Sequence, residues 1–316
     1  MPDKPAVNQG DDISGIVYDV GEGVTEFRPG DRVAAFHEML SPGGSYAEYA
    51  LSWNHTTFPL PPKISFEGVS LCSIKSRHLT KIHFAEGAAL PLAAMTAACG
   101  LYAKLGLPQP WLPATEPIPL VIYGASSAVG YYAIQFAMKS NIHPLICVAG
   151  RAQEHVEKVI DRSKGDTIVD YRNGDEAVAK GIKDALKGQK LGYAFDAVSE
   201  KNSYQNIGQA LDPNTGKITF VLPGKDYKGL AEGVEKTITR VGDVHGNPDD
   251  LKEFGYVYFR YISKGLKEGW FKAQPQEVVK GGLEGVQQAL QNLKDGKASA
   301  VKYIFKIEDT PGAGSS

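Results

Sequence analysis

Seven mostly small residues, Gly124-Ala125-Ser126-Ser127-Ala128-Val129-Gly130, follow the apolar run Leu120-Val121-Ile122-Tyr123. They lead into a segment whose Val129, Ala133, Phe136 and Ala137 share one helical face. Strand, small-residue turn and helix start, in that order, let backbone amides approach a pyrophosphate. The helix N-terminus adds further donors and the positive end of its dipole. The turn reads G-x-S-S-x-x-G and lacks the middle glycine of the common dinucleotide fingerprint, so an ordinary buried turn is the competing reading. The next apolar run, His143 to Ala149, ends at Gly150-Arg151. That is about 20 residues past the turn, where a Rossmann unit places the adenosine ribose. A carboxylate there suits NAD, whereas a guanidinium suits the extra phosphate of NADP. A solvated surface arginine is the alternative for Arg151.

Composition is compatible with such a site. The 316 residues, 42% hydrophobic, can bury one large core or two modest ones. A net charge of −2 gives no electrostatic reason to expect nucleic acid or an anionic membrane. Cys72, Cys99 and Cys147 lie too far apart for a disulfide framework or a thiolate metal cluster. No N-terminal apolar segment suggests secretion. The longest uncharged stretch, Gly87 to Ala103, contains Pro91 and falls short of the ~20 apolar residues of a spanning helix. A reducing, cytoplasmic setting is expected.

The elements that must position these residues change character along the chain. In the first third, Gly15 to Val20, Arg32 to Phe36 and Tyr46 to Leu51 read as strands between tight turns. From Gly87, helices alternate with short strands at Leu120–Tyr123, Leu145–Val148, Thr167–Val169, Tyr193–Ala197 and Lys217–Leu222. That alternation predicts an α/β fold, a parallel sheet with helices on both faces. Gly281 to Leu293 reads as an amphipathic helix, Val301 to Ile307 as a last strand, and Glu308 to Ser316 as a polar tail with nothing to bury.

The ordered segments GEGVTEFRPGDRVAAF, GGSYAEYALS, ALPLAAMTA, YGASSAVG, DTIVDYR, FDAVS and GKASAVKYIFKI resemble the medium-chain dehydrogenase/reductase superfamily. Within it they resemble the zinc-free quinone- and enoyl-reductase branch, including fungal stand-alone enoyl reductases that serve polyketide synthases. The resemblance implies a doubly wound Rossmann domain with a GroES-like β domain, the active site lying in the cleft between them. It implies a GroES-like domain at 1–90, an NADP-binding Rossmann domain at 91–250, a return to the first domain at 251–307 and a disordered tail at 308–316. Zinc alcohol dehydrogenases of the superfamily carry Gly-His-Glu where this chain has Gly10-Asp11-Asp12, so the imidazole ligand is absent and no metal is expected. His37 and His55 stand alone and read as structural. Reduction of an activated C=C bond or a quinone is then the expected chemistry.

Two departures bear on completeness. The family carries several strands before the equivalent of Gly10, so a natural protein longer at its start is expected. Gly68 to Phe84 interrupts a stretch that the family writes almost continuously, and carries Lys75, Arg77 and Lys81 with no acidic residue. It reads either as a basic loop by the substrate entrance or, the favoured reading, as an intron carried into the chain.

By resemblance, Ser126, Ser127, Ala128 and Val129 hold the pyrophosphate, and Gly150 and Arg151, assisted by Lys164, take the ribose phosphate of NADPH. Tyr171 lies by the adenine or is a core-edge tyrosine. Val221 and Leu222 touch the nicotinamide half through backbone, and Ala298 and Ser299 form a late cofactor contact or a simple turn. Thr96 matches a family threonine beside the nicotinamide that orients substrate or relays a proton; the alternative is a hydroxyl bonded to its own helix. Ala97, Leu101, Tyr102 and Lys104, with Val241, Gly242 and Asp243, line the acyl entrance, and solvent supplies the α-carbon proton. The expected activity is NADPH-dependent enoyl reduction on a small-molecule or carrier-bound substrate, with a polyketide synthase as partner. The rivals are a quinone or alkenal reductase and a catalytically silent NADPH-binding protein. A monomer or homodimer fits either case.

Overall fold

In the computed structural model, residues 8–61 and 85–314 are described; Cys72 and the Gly68–Phe84 segment lie outside them. Asp12–Ile16 (β1), Arg32–Phe36 (β2) and Thr57–Pro59 (β3) pair antiparallel in that order. Tyr46 to Leu51, expected as a strand, is a loop. Its ends make isolated bonds, Tyr46 N–H to the distant Gln9 carbonyl at 3.0 Å and Leu51 N–H to the Gly43 carbonyl at 2.8 Å, in place of a continuous ladder. Two short helices follow, Ala85–Ala88 (α1) and Pro91–Ala98 (α2), the second continuing as a π-helical turn over Cys99–Lys104.

The expected parallel sheet is present. Leu120–Tyr123 (β4) leads into Ala128–Lys139 (α3) and Leu145–Ala149 (β5) leads into Gln153–Glu157 (α4). Thr167–Asp170 (β6) precedes Asp175–Leu186 (α5), and Tyr193–Asp196 (β7) precedes Ser203–Gly208 (α6). Lys217–Phe220 (β8) and Glu235–Ile238 (β9) complete it, in the order β6-β5-β4-β7-β8-β9 with every neighbouring pair parallel. All residues of β4 and β5 are buried, which is why both read as unbroken apolar runs rather than alternating ones. One face of the sheet packs Val121, Ile146, Val148, Ala194 and Ile218 against Val178, Ile182 and Ile207 of the helices.

The chain then forms Lys252–Glu268 (α7), Gln276–Val279 (β10), Val286–Lys294 (α8) and Lys302–Phe305 (β11), with β10 and β11 a parallel pair. Helix α7 buries Tyr258, Phe259, Ile262 and Gly265 along one stripe, and Phe259 stacks on Phe58 with ring centroids 5.4 Å apart. It ends at Gly269, whose φ of +81° suits the left-handed cap. Residues 308–314, expected to hang free, are held instead: Thr310 Oγ1 accepts the Leu283 N–H at 2.9 Å, and Gly314 N–H bonds the Glu48 carboxylate. Two compact units result, 1–95 with 242–316, and 96–241.

Candidate functional site

Strand order in the six-stranded sheet reverses between β4 and β7, and a crevice lies outside the carboxyl ends of strands at such a point. The Gly124–Gly130 turn sits there. Gly124 has φ of +78°, and a Cβ on it would lie 2.5 Å from Val198 Cγ2. A Cβ on Gly130 would lie 2.3 Å from the Gly124 carbonyl oxygen, so helix and strand meet closer than any side chain allows. Ser127 caps α3, its Oγ accepting the Gly130 N–H at 3.1 Å. Ala128 and Val129 occupy the first two helical positions, whose amides have no acceptor within the helix. Residues 126–129 are only half-buried, and the first turn of α3 holds no acidic residue. Open donors, bare backbone and a positive helix end are what a pyrophosphate needs, and these residues fit one.

The β5 tip brings together Gly150 and Tyr171. A Cβ at Gly150 would fall 2.5 Å from the Tyr171 ring, so the glycine is the seat on which that ring rests. Tyr171 is 46% exposed and offers its remaining surface to solvent. Arg151 is exposed beside it. Asp170, the acid at the β6 tip, pairs with Arg172 at 2.6 Å, whose hydrogen bonds hold its carboxyl down at about 2.

A third cluster closes β7 and β8. Asp196 is fully buried; its Oδ1 accepts the Val198 and Ser199 amides at 3.1 and 2.8 Å, and its Oδ2 accepts the Ser203 hydroxyl at 2.5 Å. Burial pushes this carboxyl up, opposed by those bonds and by the charge of Lys225. The Ser199 hydroxyl donates to the Asp196 carbonyl at 3.0 Å and accepts the Val221 N–H at 3.1 Å. Lys225 Nζ donates to the Ser199 carbonyl at 2.9 Å, and the Tyr227 hydroxyl to the Leu222 carbonyl at 2.6 Å.

Other expected site residues fall elsewhere. Lys164 precedes β6, and its ammonium bonds Asn141 Oδ1 at 2.6 Å beyond the C-terminus of α3. It therefore sits at the amino edge of the sheet, a strand length of roughly 13 Å from the tips, and cannot assist Arg151. A cavity of about 510 Å³ opens on that edge, lined by His143, Lys164 and Lys187, and so belongs to the wrong end for a nucleotide. Ala97 and Leu101 are fully buried. The Tyr102 hydroxyl bonds the Phe136 carbonyl at 3.1 Å and Ser140 Oγ at 2.8 Å, which ties it to α3. Lys104 is half-buried and Thr96 buried. Val241 closes the sheet-bearing unit, while Gly242, buried Asp243, half-buried Ala298 and exposed Ser299 belong to the other. In that unit His37 Nδ1 bonds the Leu51 carbonyl at 2.7 Å and His55 Nε2 the Val244 carbonyl at 3.0 Å. Among the described residues no group of three or more His, Cys, Asp or Glu is placed to hold a metal ion, and no helix is long and apolar enough to cross a membrane.

Residues 1–62 match the Alcohol dehydrogenase GroES-like domain family. Over 284 residues the chain is 56% identical to the trans-enoyl reductase fsr4 of Gibberella fujikuroi, covering 89% of this chain and 78% of that protein. This chain belongs to the trans-enoyl reductase family. It is 30% identical to a second member, resD of Aspergillus sclerotiorum, over 96% of this chain and 86% of that one. The quinone oxidoreductase of Pseudomonas syringae superposes with a TM-score of 0.67 at 21% identity, over 94% of this chain and 82% of that one, and shares the fold. The trans-enoyl reductases are medium-chain oxidoreductases, and membership implies a nicotinamide cofactor for this one. In this trans-enoyl reductase, sequence reasoning missed Ser199, Lys225 and Tyr227. The only signal was that Ala197-Val198-Ser199 and VLPGKDY directly follow strands, on the side where ligands gather.

Proposed function

We propose that this chain reduces an activated C=C bond, in an α,β-unsaturated thioester or ketone, with NADPH. The observation that carries the reading is the Gly124–Gly130 turn, open at its amides and placed where the strand order reverses. Bound there, the coenzyme supplies a hydride. The chain's own part is to hold and orient it. Ser126, Ser127, Ala128 and Val129 line the pyrophosphate cradle, and Ser127 keeps its Oγ on Gly130 so that the first two amides stay available. Arg151 meets the 2′-phosphate, since the residue that follows Gly150 is a guanidinium rather than a carboxylate and the neighbouring Asp170 is already paired with Arg172. Tyr171, seated on Gly150, offers a flat wall for the adenine. Val221 and Leu222 serve the nicotinamide half, and Thr96 is the hydroxyl we assign to orienting the substrate.

The substrate is a polyketide chain presented by a carrier domain of a partner synthase. The relatives named trans-enoyl reductases support this, as does the resemblance to fungal enzymes that act beside a synthase. Fluorescence titration with NADPH, followed by its consumption with a panel of enoyl thioesters and enones, is the test. Tight binding with turnover on enoyl thioesters is expected. Failure to bind NADPH would overturn the reading, and binding without turnover on any acceptor would reduce the chain to a silent nucleotide carrier.

A further inference from the structure

The β7 and β8 tips lie over the second half of the sheet. A dinucleotide whose adenosine rests on β4, β5 and β6 places its other nucleotide on this half. Two of the four polar backbone groups of Val221 and Leu222 are already spent there. The Ser199 hydroxyl takes the Val221 N–H and the Tyr227 hydroxyl takes the Leu222 carbonyl. The Val221 carbonyl and the Leu222 N–H, acceptor and donor of the single peptide plane between the two residues, make no hydrogen bond among the described residues.

The side chains that do the clamping are themselves fixed. Ser199 holds φ of +59°, a conformation that a residue with a Cβ rarely adopts. It is kept there by the buried Asp196 carboxylate on its amide and by Lys225 on its carbonyl. Tyr227 stacks on Phe220 with centroids 3.6 Å apart and meets Tyr204 edge-on at 5.2 Å, so its hydroxyl has one direction to point. Strain and immobilised rings around two unbonded backbone groups are more than holding a strand end requires.

We propose that Ser199 and Tyr227 are positioning residues for the nicotinamide half of the coenzyme. By occupying the outer pair of backbone groups they fix the Val221–Leu222 peptide plane, so that one of its free edges meets the carboxamide. The proposal rests on the reading of the Gly124–Gly130 turn as the pyrophosphate cradle. It adds that the nicotinamide end is set by side chains that never touch it.

Two variants test it, Tyr227→Phe, which keeps the ring stack, and Ser199→Gly, which removes the hydroxyl and suits the positive φ. Each is titrated with NADPH and with 2′-phospho-ADP-ribose, which lacks nicotinamide. Expected is a threefold to tenfold rise in Kd for NADPH, the effect of losing one orienting hydrogen bond, with 2′-phospho-ADP-ribose bound as in the parent chain. Equal weakening of both ligands would mark the residues as merely structural and overturn the proposal, as would unchanged NADPH binding in both variants. If the parent chain binds neither ligand, the cradle reading fails first and takes the proposal with it. If it binds 2′-phospho-ADP-ribose and NADPH with equal affinity, the cradle stands and the nicotinamide clamp falls.

Discussion

Replacing Gly130 with alanine probes the cradle with one methyl group. The new Cβ would lie 2.3 Å from the Gly124 carbonyl oxygen and 2.8 Å from Ala125 Cα, and that contact must open by about 1.1 Å to reach the ordinary 3.4 Å. The obstructing atoms are backbone, so no rotamer change relieves the clash; either α3 or the turn has to move. Overpacking of this kind costs about 1–3 kcal/mol, while alanine in a helix returns about 1 kcal/mol relative to glycine. The net loss is therefore about 0–2 kcal/mol, a fall in Tm of up to about 8 °C. Binding suffers more than stability. A movement of about 1 Å takes the Ala128 and Val129 amides out of hydrogen-bond range of a phosphate. Each charge-assisted bond is worth about 1.5–3 kcal/mol, so Kd for NADPH should rise at least about tenfold. Thermal unfolding without coenzyme and NADPH fluorescence titration on the same sample separate the two effects. A folded variant whose Kd stays within about twofold of the parent would refute the argument, because displaced amides cannot bind equally well.

Further outcomes follow from the same geometry. Arg151→Ala should raise Kd for NADPH about tenfold and leave NADH unchanged, as titration with each coenzyme will show; equal losses would remove Arg151 from the 2′-phosphate. Tyr102→Phe takes away a buried hydroxyl bonded to Phe136 and Ser140, and should cost about 1–2 kcal/mol in denaturant unfolding with KM unaltered; a raised KM would return it to the substrate path. His55 and His245 are both held below the usual histidine range, chiefly by burial. The unfolded chain therefore binds more protons, and stability should be full above about pH 6.5 and decline as pH falls toward the folded values. Melting curves across that window should show the decline, and His55→Gln with His245→Gln should flatten it.

Strands β4 and β5 at the middle of the sheet were legible because they are buried on both faces, and Leu120–Tyr123 could be bounded by its apolar run alone. What escaped was structure decided by neighbours. The edge strand β9, Glu235-Lys236-Thr237-Ile238, carries two charges and gains strand geometry only by pairing with β8. Tyr46 to Leu51 has strand-like composition, yet its end amides find their partners in the Gln9 and Gly43 carbonyls rather than in a ladder. Helix α7 is dense in aromatic and glycine residues, weak helix formers, and is held by the stacking of Phe259 on Phe58, a contact between residues 201 positions apart in number.

The site divides along a different line, the direction of the strands. In a parallel sheet every residue just after a strand lies at one edge and every residue just before a strand lies at the other. Gly124, Gly150, Tyr171, Ser199 and Val221 all follow strands within a few residues, and the structure gathers them on the carboxyl edge. Lys164 stands three positions before Thr167, so its exclusion was implicit in the strand boundary itself. The same rule explains why Ser199, Lys225 and Tyr227 belong beside Val221, although nothing in their types announces chemistry. On the proposed reading, a hydroxyl or ammonium joins the nucleotide site through the end of the strand it follows, and its bond to the neighbouring backbone then decides which groups remain for the ligand.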